Sequence, residues 1–509
     1  MRRALVPLVP LALAAGCTDD SFIIVTVDRL PAVHDATGGA PKNLKVTLSN
    51  AGSMRTDELT VGEHPFPVTF SISAPGRTGD LGISIDALDD KGILVGRGVG
   101  NALLTDTAAS VMLDTADFVV NTEVVNNQFL TTDYEAVGLQ LAAIPNGTWM
   151  AVYRDECTMC DVYGRRFDAT GLPVQSALAA SDQSFKVTTS LTTAGTFPTI
   201  ASSGSTTLVL WDYFSGATNG IACRAINETG AATGNQLSVM TTETPDVVTA
   251  APLANGNFVV TWQTFVSPNE QIHATIVGPG CATILPAPIS VSTAAVDNRR
   301  SHVAVNGSTV MYTWVGDSSV RIRTGRPDGT FIISDAVLVP RTSTQDVDHV
   351  RVVPYGTGFA IAARWAAPSA MSTQPGKIEV YRVNASGVIQ GTPTVITDQS
   401  GSDFTSDKAF GMAARGDGAL LVTWHACATG PGSCEVFGRL MRPDGTLAGE
   451  TFVIPTSTGS DQINPSAVAL DTAFVVSWND SSGVEPDTSG SAVRARILYP
   501  KYDAARTQP

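Results

Sequence analysis

The chain has 509 residues, with 32 Lys and Arg against 47 Asp and Glu, so its formal net charge at pH 7 is −15. Phosphate binding requires a basic face, and this balance therefore argues against nucleic acid as a partner. The length exceeds that of one ordinary domain, so two or more folded units are expected.

The N-terminus reads MRRALVPLVPLALAAGCTDD. Two arginines precede a short apolar segment, Ala4 to Ala15, which is too short to span a membrane as a helix. No later apolar run approaches the roughly 18 residues that a spanning helix needs. The pattern predicts an exported chain with a soluble body.

The apolar segment ends in Leu-Ala-Ala-Gly-Cys, residues 13–17, which resembles the bacterial lipobox with Ala14 where Leu is more usual. The resemblance implies that residues 1–16 are removed as a signal peptide, that Cys17 receives the lipid and that residues 17–20 form a short tether. A threonine rather than an aspartate follows the Cys, which resembles the outer-membrane default of a two-membrane bacterium. We therefore expect a lipid-anchored protein of the outer membrane or cell surface, held to the membrane only through this lipid. The alternative is an ordinary secretory peptide with an incidental Cys.

Residues 21–114 contain alternating segments such as SFIIVTVDRL, KNLKVTLSN and DLGISIDALDDKG. Such alternation is typical of half-buried strands and predicts a small β-sandwich of immunoglobulin-like character. Neither a Cys pair nor a strand Trp supports the antibody-type topology. With the lipobox, this organisation resembles exported lipoproteins of bacteria such as myxobacteria.

A strand that ends in Trp recurs along the rest of the chain, with a spacing of about 54 residues. Each repeat contains four short strands and no helical pattern, as in a β-propeller blade. These strands end at Trp211, Trp262, Trp314, Trp424 and Trp478, and Tyr153 and Ala363 occupy the same position in the other two repeats. The predicted fold is therefore all-β, with a seven-bladed propeller over residues 115–503 and a tail over residues 504–509. An array of sandwiches is the structural alternative.

The seventh repeat stops after its third strand, VRARILYPKYD. An isolated strand, residues 117–123, precedes the first repeat and resembles the fourth strand of the others. We expect it to complete blade seven and to close the ring, which removes exposed sheet edges. The recurring Trp residues are expected to pack between blades rather than to stack on a ligand.

Six Cys residues remain besides the lipidated one, an even number in an oxidising compartment. Alignment of the first and sixth repeats places two pairs in the loop between strands two and three. Disulfides are predicted for Cys157–Cys160 and Cys427–Cys434, and the alternatives are a metal clip, a redox pair or free thiols. Pairing of the remaining two, Cys223 and Cys281 in adjacent blades, is left open.

Catalytic signatures are missing from the sequence: there is no Gly-x-Ser-x-Gly elbow, sialidase-type Asp-box, EF-hand loop or Walker glycine loop. No enzymatic activity, cofactor or metal is therefore predicted. One acidic loop, with Asp480, Glu485 and Asp487, has enough oxygen ligands for Ca²⁺, but a solvated acidic turn is the favoured interpretation.

The loops between strands two and three emerge on the propeller face where each first strand begins. Charged residues of mixed sign concentrate there, and they are candidates for holding a glycan or a peptide. A wet, polar channel mouth is the alternative explanation. The ligand-face candidates are Asp155, Asp212, Asp246, Arg300, His302, Asp348, His349, Lys408, His425 and Asp480.

These patterns predict a non-catalytic, lipid-anchored, extracytoplasmic binding protein whose propeller face takes a protein or glycan ligand. Two alternatives stay open. A glycan-cleaving, sialidase-like hydrolase would need two carboxylates about 5–10 Å apart at the same face. A structural envelope component would need a flat apolar patch on the sandwich.

Overall fold

The computed structural model describes residues 22–123, 127–130, 140–155, 161–179, 181, 183–189, 193–194, 198–215, 218–240, 244–366, 376–399, 410–427, 434–457, 459–488 and 490–500. Strands and turns make up these residues, and no helix occurs among them. They form two compact units: the first contains residues up to Asp35 and Ala40–Asp114, and the second contains Ala36–Gly39 and the chain from Thr115 onward.

The first unit is a seven-stranded sheet in the order β3-β2-β5-β6-β7-β1-β4. Its strands are β1 (Phe22–Arg29), β2 (Asn43–Asn50), β3 (Ser53–Thr60), β4 (Val68–Ser73), β5 (Asp80–Leu88), β6 (Leu94–Leu103) and β7 (Ala108–Thr115). β1 pairs with β7 in parallel and with β4 antiparallel. β2 lies between β3 and β5 in the same sheet.

Alternation along these strands builds the core of the unit. Ile23, Val25 and Val27 of β1 are at most 1% exposed, and they share one apolar cluster with Val46 of β2 and Ile85 of β5. Because residues from both ends of the sheet meet in one cluster, the sheet curls over a single core as a sandwich does. Its strand order differs from the ABED and CFG sheets of antibody constant domains.

The second unit contains seven antiparallel sheets, each forming one blade. Its strands are β8 (Phe118–Val119), β9 (Gln128–Phe129), β10 (Leu141–Ala143), β11 (Trp149–Asp155), β12 (Val162–Phe167), β13 (Phe185–Lys186), β14 (Thr193–Ala194), β15 (Thr199–Ser203), β16 (Thr206–Ser215), β17 (Thr218–Asn227), β18 (Leu237–Met240), β19 (Pro245–Pro252), β20 (Phe258–Val266), β21 (Asn269–Val277), β22 (Ile289–Ser290), β23 (Asn298–Asn306), β24 (Thr309–Gly316), β25 (Ser319–Gly325), β26 (Ala336–Val339), β27 (Asp346–Tyr355), β28 (Gly358–Ala366), β29 (Gly376–Val383), β30 (Thr394–Gln399), β31 (Phe410–Ala414), β32 (Leu420–Cys427), β33 (Cys434–Met441), β34 (Leu447–Val453), β35 (Gln462–Ala469), β36 (Phe474–Asp480) and β37 (Ala492–Leu498).

The blades close into a ring. Their innermost strands contact one another in the order β10, β15, β19, β23, β27, β31 and β35, and β35 contacts β10 again. In blade seven, β8 pairs with β37 as the fourth strand, with Val119 opposite Arg494. The predicted seven-bladed propeller, and its closure by a strand from the N-terminal side, are therefore confirmed.

All seven Trp residues lie in the propeller, and none is more than 2% exposed. Trp262 of blade three clusters with Leu208 and Leu210 of blade two. Trp478 of blade seven clusters with Leu421 of blade six in the same way. The recurring Trp therefore fills the joint toward the preceding blade, as predicted, and offers no surface for stacking on a ligand.

Arginines in the third strands make a second recurring joint. Each one donates to a backbone carbonyl in, or directly after, the outer strand of the preceding blade. The pairs are Arg165 with Val120 at 2.9 Å, Arg224 with Val187 at 2.6 Å, Arg323 with Val291 at 3.0 Å, Arg439 with Ile396 at 2.8 Å and Arg496 with Ile454 at 2.8 Å. These charge-assisted hydrogen bonds tie each of these blades to the one before it.

Two disulfides are present among the described residues. Cys427–Cys434 joins the ends of β32 and β33, as predicted. Cys223–Cys281, which the sequence left open, joins blades two and three. In blade three the third strand has Thr275 at the position that holds Arg in most other blades, so the disulfide strengthens a joint that lacks the arginine. Cys157 and Cys160 lie outside the described residues, as does Cys17.

Replacing Cys223 and Cys281 with Ser is expected to lower the free energy of unfolding by about 2–4 kcal/mol, because this bridge joins residues 58 apart. Replacing Cys427 and Cys434, which are 7 apart, should cost no more than about 2 kcal/mol. Chemical denaturation followed by Trp fluorescence measures both effects. A larger loss from the short bridge would contradict the dependence on loop length.

Candidate functional site

The propeller face where each first strand begins has a recurring backbone irregularity. The pairing of first and second strands shifts register in blades three, four, five and seven. At three of these bulges a residue other than Gly has positive φ: Val247 at 52°, Arg300 at 55° and Asn464 at 57°. Such a conformation is costly, most of all for a β-branched Val, and persists only where the surroundings impose it.

The side chain that follows the recurring Trp supports the bulge of the next blade. Gln263 Oε1 accepts the backbone N–H of Arg300 at 2.8 Å. His425 Nδ1 accepts that of Asn464 at 3.2 Å. In the joint between blades seven and one, Asn479 Oδ1 accepts the N–H of Leu130 at 2.8 Å. In these three joints, the polar side chain after the Trp ties the face of one blade to the next.

A hydrogen-bonded network extends through blades three to five. Asp348 Oδ2 accepts from Arg364 at 2.8 Å, and its Oδ1 lies 3.3 Å from His349 Nδ1. Arg300 donates to the Asp348 backbone carbonyl at 2.6 Å. All four side chains lie in residues that are less than 10% exposed. The structure therefore brings together three predicted candidates, and adds Arg364.

Asp246 joins this network at its blade-three end. Its Oδ2 accepts from Gln263 Nε2 at 3.2 Å, and its Oδ1 accepts from the backbone of Val247 at 2.8 Å. At the blade-five end, His302 Nδ1 accepts the N–H of Val352 at 3.3 Å. The proton of this imidazole therefore sits on Nε2, which is buried and has no hydrogen-bond partner in the described structure.

The charge states follow from burial and from the arginines. Burial opposes ionisation of Asp348, but Arg364 and His349 outweigh it and hold the pKa of this carboxyl below its usual value. Burial, aided by Arg300, lowers the pKa of His349 to about 4. Burial and Arg351 lower the pKa of His302 well below its usual value. At neutral pH this network contains an ionised Asp348 and two neutral histidines.

A second group of candidates lies in blade seven. Asp480 Oδ2 accepts from Arg494 Nε at 2.9 Å, and Arg494 also donates to Asp117 Oδ1 at 2.7 Å. The three side chains are no more than 3% exposed. Asp117 also accepts from Thr456 and Ser457, so this cluster locks the closing strand to blades six and seven.

Glu435 of blade six lies beside this cluster. Its Oε2 is buried without a hydrogen-bond partner in the described structure. Burial, together with the charges of Asp480 and Asp117, raises the pKa of the Glu435 carboxyl. A carboxyl whose pKa is raised by burial and by a neighbouring carboxyl resembles the electrostatic arrangement of a general acid.

The remaining candidates lie elsewhere on the ring. Asp155, half-buried at the end of β11, accepts the backbone N–H of Asp161 at 2.9 Å and so orders its own hairpin. Asp212 of blade two is 1% exposed. Lys408 lies outside the described residues. Two groups of candidates are therefore established, one in blades three to five and one in blade seven, and Asp155, Asp212 and His425 lie in other blades.

Two of the three carboxylates of the acidic loop that was considered for calcium make contacts in blade seven. Asp487 is buried and accepts from Asn121 at 2.7 Å, whereas Glu485 is exposed and Asp480 is paired with Arg494. Within the described ranges, no group of three or more His, Cys, Asp or Glu side chains is arranged to hold a metal ion. Calcium binding at this loop stays a prediction.

An exposed rim borders the blade three to five network. The hairpin between β20 and β21 presents Phe265, 62% exposed, and Val266, 51% exposed. The carboxylate of Asp297 accepts the backbone N–H of Glu270 in this hairpin at 3.2 Å and pairs with Arg299 at 2.8 Å. An apolar tip therefore stands next to a half-exposed ion pair.

Five residues that pair with the predicted candidates or lie beside them were not predicted from the sequence: Gln263, Arg364, Arg494, Asp117 and Glu435. A signal for two of them was present. Gln263 and Arg364 occupy the position after the recurring Trp or its blade-five equivalent, Ala363, and that position is polar in six of the seven repeats. Arg494 lies two residues before the recurring third-strand arginine of its blade, Arg496, at a position where most other repeats have no Arg, so the repeat pattern did not indicate it.

Fold and site together describe a seven-bladed propeller with a separate β-sandwich. No protein-family model matches the chain, and a search of curated proteins finds no match. Among solved structures it is similar to a fungal alcohol oxidase of the AA5 family, at 10% identity and a TM-score of 0.46, covering 76% of this chain and 79% of that one. It is also similar to the phage phi92 endosialidase, at 7% identity and a TM-score of 0.40, covering 79% of this chain and 74% of that one.

The chain spans about half, 51%, of a prolyl endopeptidase structure that it also matches, at 10% identity and a TM-score of 0.39, with 72% of this chain covered. These likenesses concern the fold alone. Within the described ranges, no helix has the length and apolarity that crossing a membrane requires.

Proposed function

We propose that this protein is an extracytoplasmic binding protein, anchored by a lipid on Cys17, whose propeller face holds a protein or glycan ligand without catalysis. The observation that supports it most is the exposed rim, where Phe265 and Val266 stand beside the Asp297–Arg299 pair. An aromatic anchor next to half-exposed polar groups is typical of recognition surfaces.

The network beneath this rim suits a binding platform. Its buried groups bond to one another: Asp348 with Arg364, and Arg300 with Gln263. Side chains locked in this way hold the surface loops in one geometry, which reduces the entropy lost on binding. The polar groups of blades three to five therefore support a ligand surface from below rather than contacting the ligand.

This function can be tested by probing a glycan array with purified, lipid-free protein. Protein ligands are tested in a separate binding experiment. Phe265→Ala and Val266→Ser are each expected to weaken binding about tenfold or more. Val388→Ser is the matched control, since Val388 is 55% exposed in the turn after β29, on the opposite face. Equal losses from Val266→Ser and Val388→Ser would contradict a ligand surface at the rim.

A second candidate function, glycan hydrolysis, is favoured by Glu435. Burial and the neighbouring carboxyls raise the pKa of Glu435, and a carboxyl with a raised pKa close to a second carboxyl is the kind of pair that glycosidases use. Release of reducing ends from bound glycans reports this activity. Under hydrolysis, Glu435→Gln abolishes turnover, while Glu450→Gln, at a 92% exposed side chain, leaves it unchanged. Under the binding proposal, the wild-type protein releases none.

A further inference from the structure

The strand registers of the sandwich define one end at which β1 begins. Phe22, the first residue of β1, lies opposite Ser73, the last residue of β4. The parallel strand β7 begins here too, with Ala108 opposite Ile24, and β6 ends here at Leu103. We call this part of the sandwich the N-terminal end.

The turn between β2 and β3 belongs to the same end. Leu103 pairs with Asp80, and Ser49 of β2 pairs with Gly82, two residues further along β5. Asn50 donates to the backbone carbonyls of Thr78 and Asp80, at 3.1 and 2.8 Å, and so holds this turn against the start of β5. The opposite end contains the β5–β6 turn, where Leu88 pairs with Leu94.

Exposed apolar side chains concentrate at the N-terminal end. Met54 is 75% exposed, Ile24 53%, Phe22 52% and Leu103 50%. At the opposite end, Ile93 is 40% exposed. Water-exposed groups of this size cost free energy unless a partner covers them, and a cluster of them marks an interaction surface.

The position of the proposed lipidation site indicates which partner covers this surface. Cys17 precedes Phe22 by five residues, a length that spans at most about 17 Å when fully extended. Acyl chains on Cys17 would lie in the membrane and so keep the start of β1 within that distance of the bilayer. The apolar cluster lies at the same end.

We infer that the N-terminal end of the sandwich rests on the lipid bilayer, with Phe22, Ile24, Met54 and Leu103 in its interfacial layer. This inference rests on the proposed lipidation of Cys17. It adds a second contact to the lipid itself, and two contacts on one chain hold far more firmly than either alone.

Charged residues of both signs border the cluster: Arg55 and Arg77, and Asp80 and Asp106. The contact is therefore apolar rather than electrostatic. Binding should change little with salt or with the fraction of anionic lipid, unlike that of polybasic surfaces.

Hydroxyl-radical footprinting of the full lipidated chain on phosphatidylethanolamine vesicles, with and without phosphatidylglycerol, tests the contact. Oxidation of Met54 and Phe22 should be at least about threefold slower than in the lipid-free chain in solution. Ile93, on the opposite end, should react equally in both. Unchanged oxidation of Met54 and Phe22 overturns the inference, and so does protection that appears in the lipid-free chain as its concentration rises, since a second copy would then cover the cluster.

Transfer of the lipidated protein from donor to acceptor vesicles measures the energetic contribution. The Ile24→Ser/Leu103→Ser variant should transfer about tenfold faster than wild type, because two apolar groups no longer partition into the interface. Ile93→Ser, which removes a comparable side chain from the opposite end, should transfer at the wild-type rate. Equal rates for all three proteins overturn the inference.

The mass of the N-terminal peptide separates the two proposals. A diacylated Cys17 with unprotected Met54 supports the anchor and overturns the membrane contact. An unmodified Cys17 overturns both the anchor and the membrane contact that rests on it. Neither result bears on ligand binding by the propeller rim, which the glycan array tests with lipid-free protein.

Discussion

Replacing Arg494 with Met is expected to lower the free energy of unfolding of the propeller by about 3–5 kcal/mol. The guanidinium joins Asp117 of the closing strand to Asp480 of blade seven, and all three side chains are no more than 3% exposed. Without it, two carboxylates stay buried next to each other with no cation between them. All Trp residues lie in the propeller, so Trp fluorescence during chemical denaturation follows this unit alone.

Arg341→Met is the matched control, because Arg341 and its partner Asp317 are both more than half exposed at 3.5 Å. Loss of such an exposed pair should cost less than about 1 kcal/mol. Adding Asp117→Asn and Asp480→Asn to Arg494→Met should recover part of the stability, since the unpaired charges are removed. A cost for Arg494→Met no larger than for the control would show that the cluster does not hold the ring closed.

Acidification from pH 6.5 to 4 is expected to destabilise the propeller by on the order of 2–3 kcal/mol through His349, and His302 should act in the same direction. Both pKa values are lowered by burial and by nearby arginines, that of His349 to about 4. The unfolded chain binds a proton near pH 6.5, whereas the folded chain resists it. Stability is therefore fully present above pH 6.5 and is lost as the pH falls.

Asp348 affects the pH dependence of stability at a lower pH than the two histidines do. Its pKa is held below the ordinary value, despite burial, by Arg364 and His349, so its contribution is present above the ordinary aspartate pKa and disappears as the pH falls further. Arg300 and Arg364 both face His349 and oppose its protonation. The loss of stability should thus begin with the histidines and continue with this carboxylate.

His349→Gln tests the histidine contribution, because Gln cannot take up a proton. Denaturation midpoints of the Trp transition, measured between pH 6.5 and 4.5, should depend less steeply on pH than in wild type, by up to about 1.4 kcal/mol per pH unit. His64→Gln, at an exposed position of the sandwich, should leave the propeller transition unchanged. An unaltered slope in His349→Gln would mean that this imidazole takes up its proton as readily in the folded protein as in the unfolded chain.

The two largest expected effects arise from contacts that are remote in the chain. Asp117 and Arg494 are 377 residues apart, and Arg300 and Asp348 are 48 apart. Such pairs leave no local pattern, whereas strand alternation and a blade-length repeat are local and recur seven times. The closing strand was predictable because its sequence resembles the fourth strands of the other blades.

The candidate face was predicted less well than the ring. Residues such as Asp212, His302 and Asp480 were expected at a channel mouth, yet they are at most 2% exposed. Alternation along a strand indicates which side of a blade a residue occupies, but the next blade decides whether that side meets water. The bulges at Val247, Arg300 and Asn464 displace this alternation as well.

By itself, the sequence determined the all-β class, the seven repeats, the ring closure, the burial of the Trp residues and the Cys427–Cys434 bridge. Periodicity and short sequence separation encode all of these. Only the tertiary structure decided that Cys223 meets Cys281, that the charged candidates are paired beneath the rim, and that Phe22 and Met54 share one end of the sandwich. Each of these depends on which strands become neighbours, and that is decided when the sheets pack and not by any one segment.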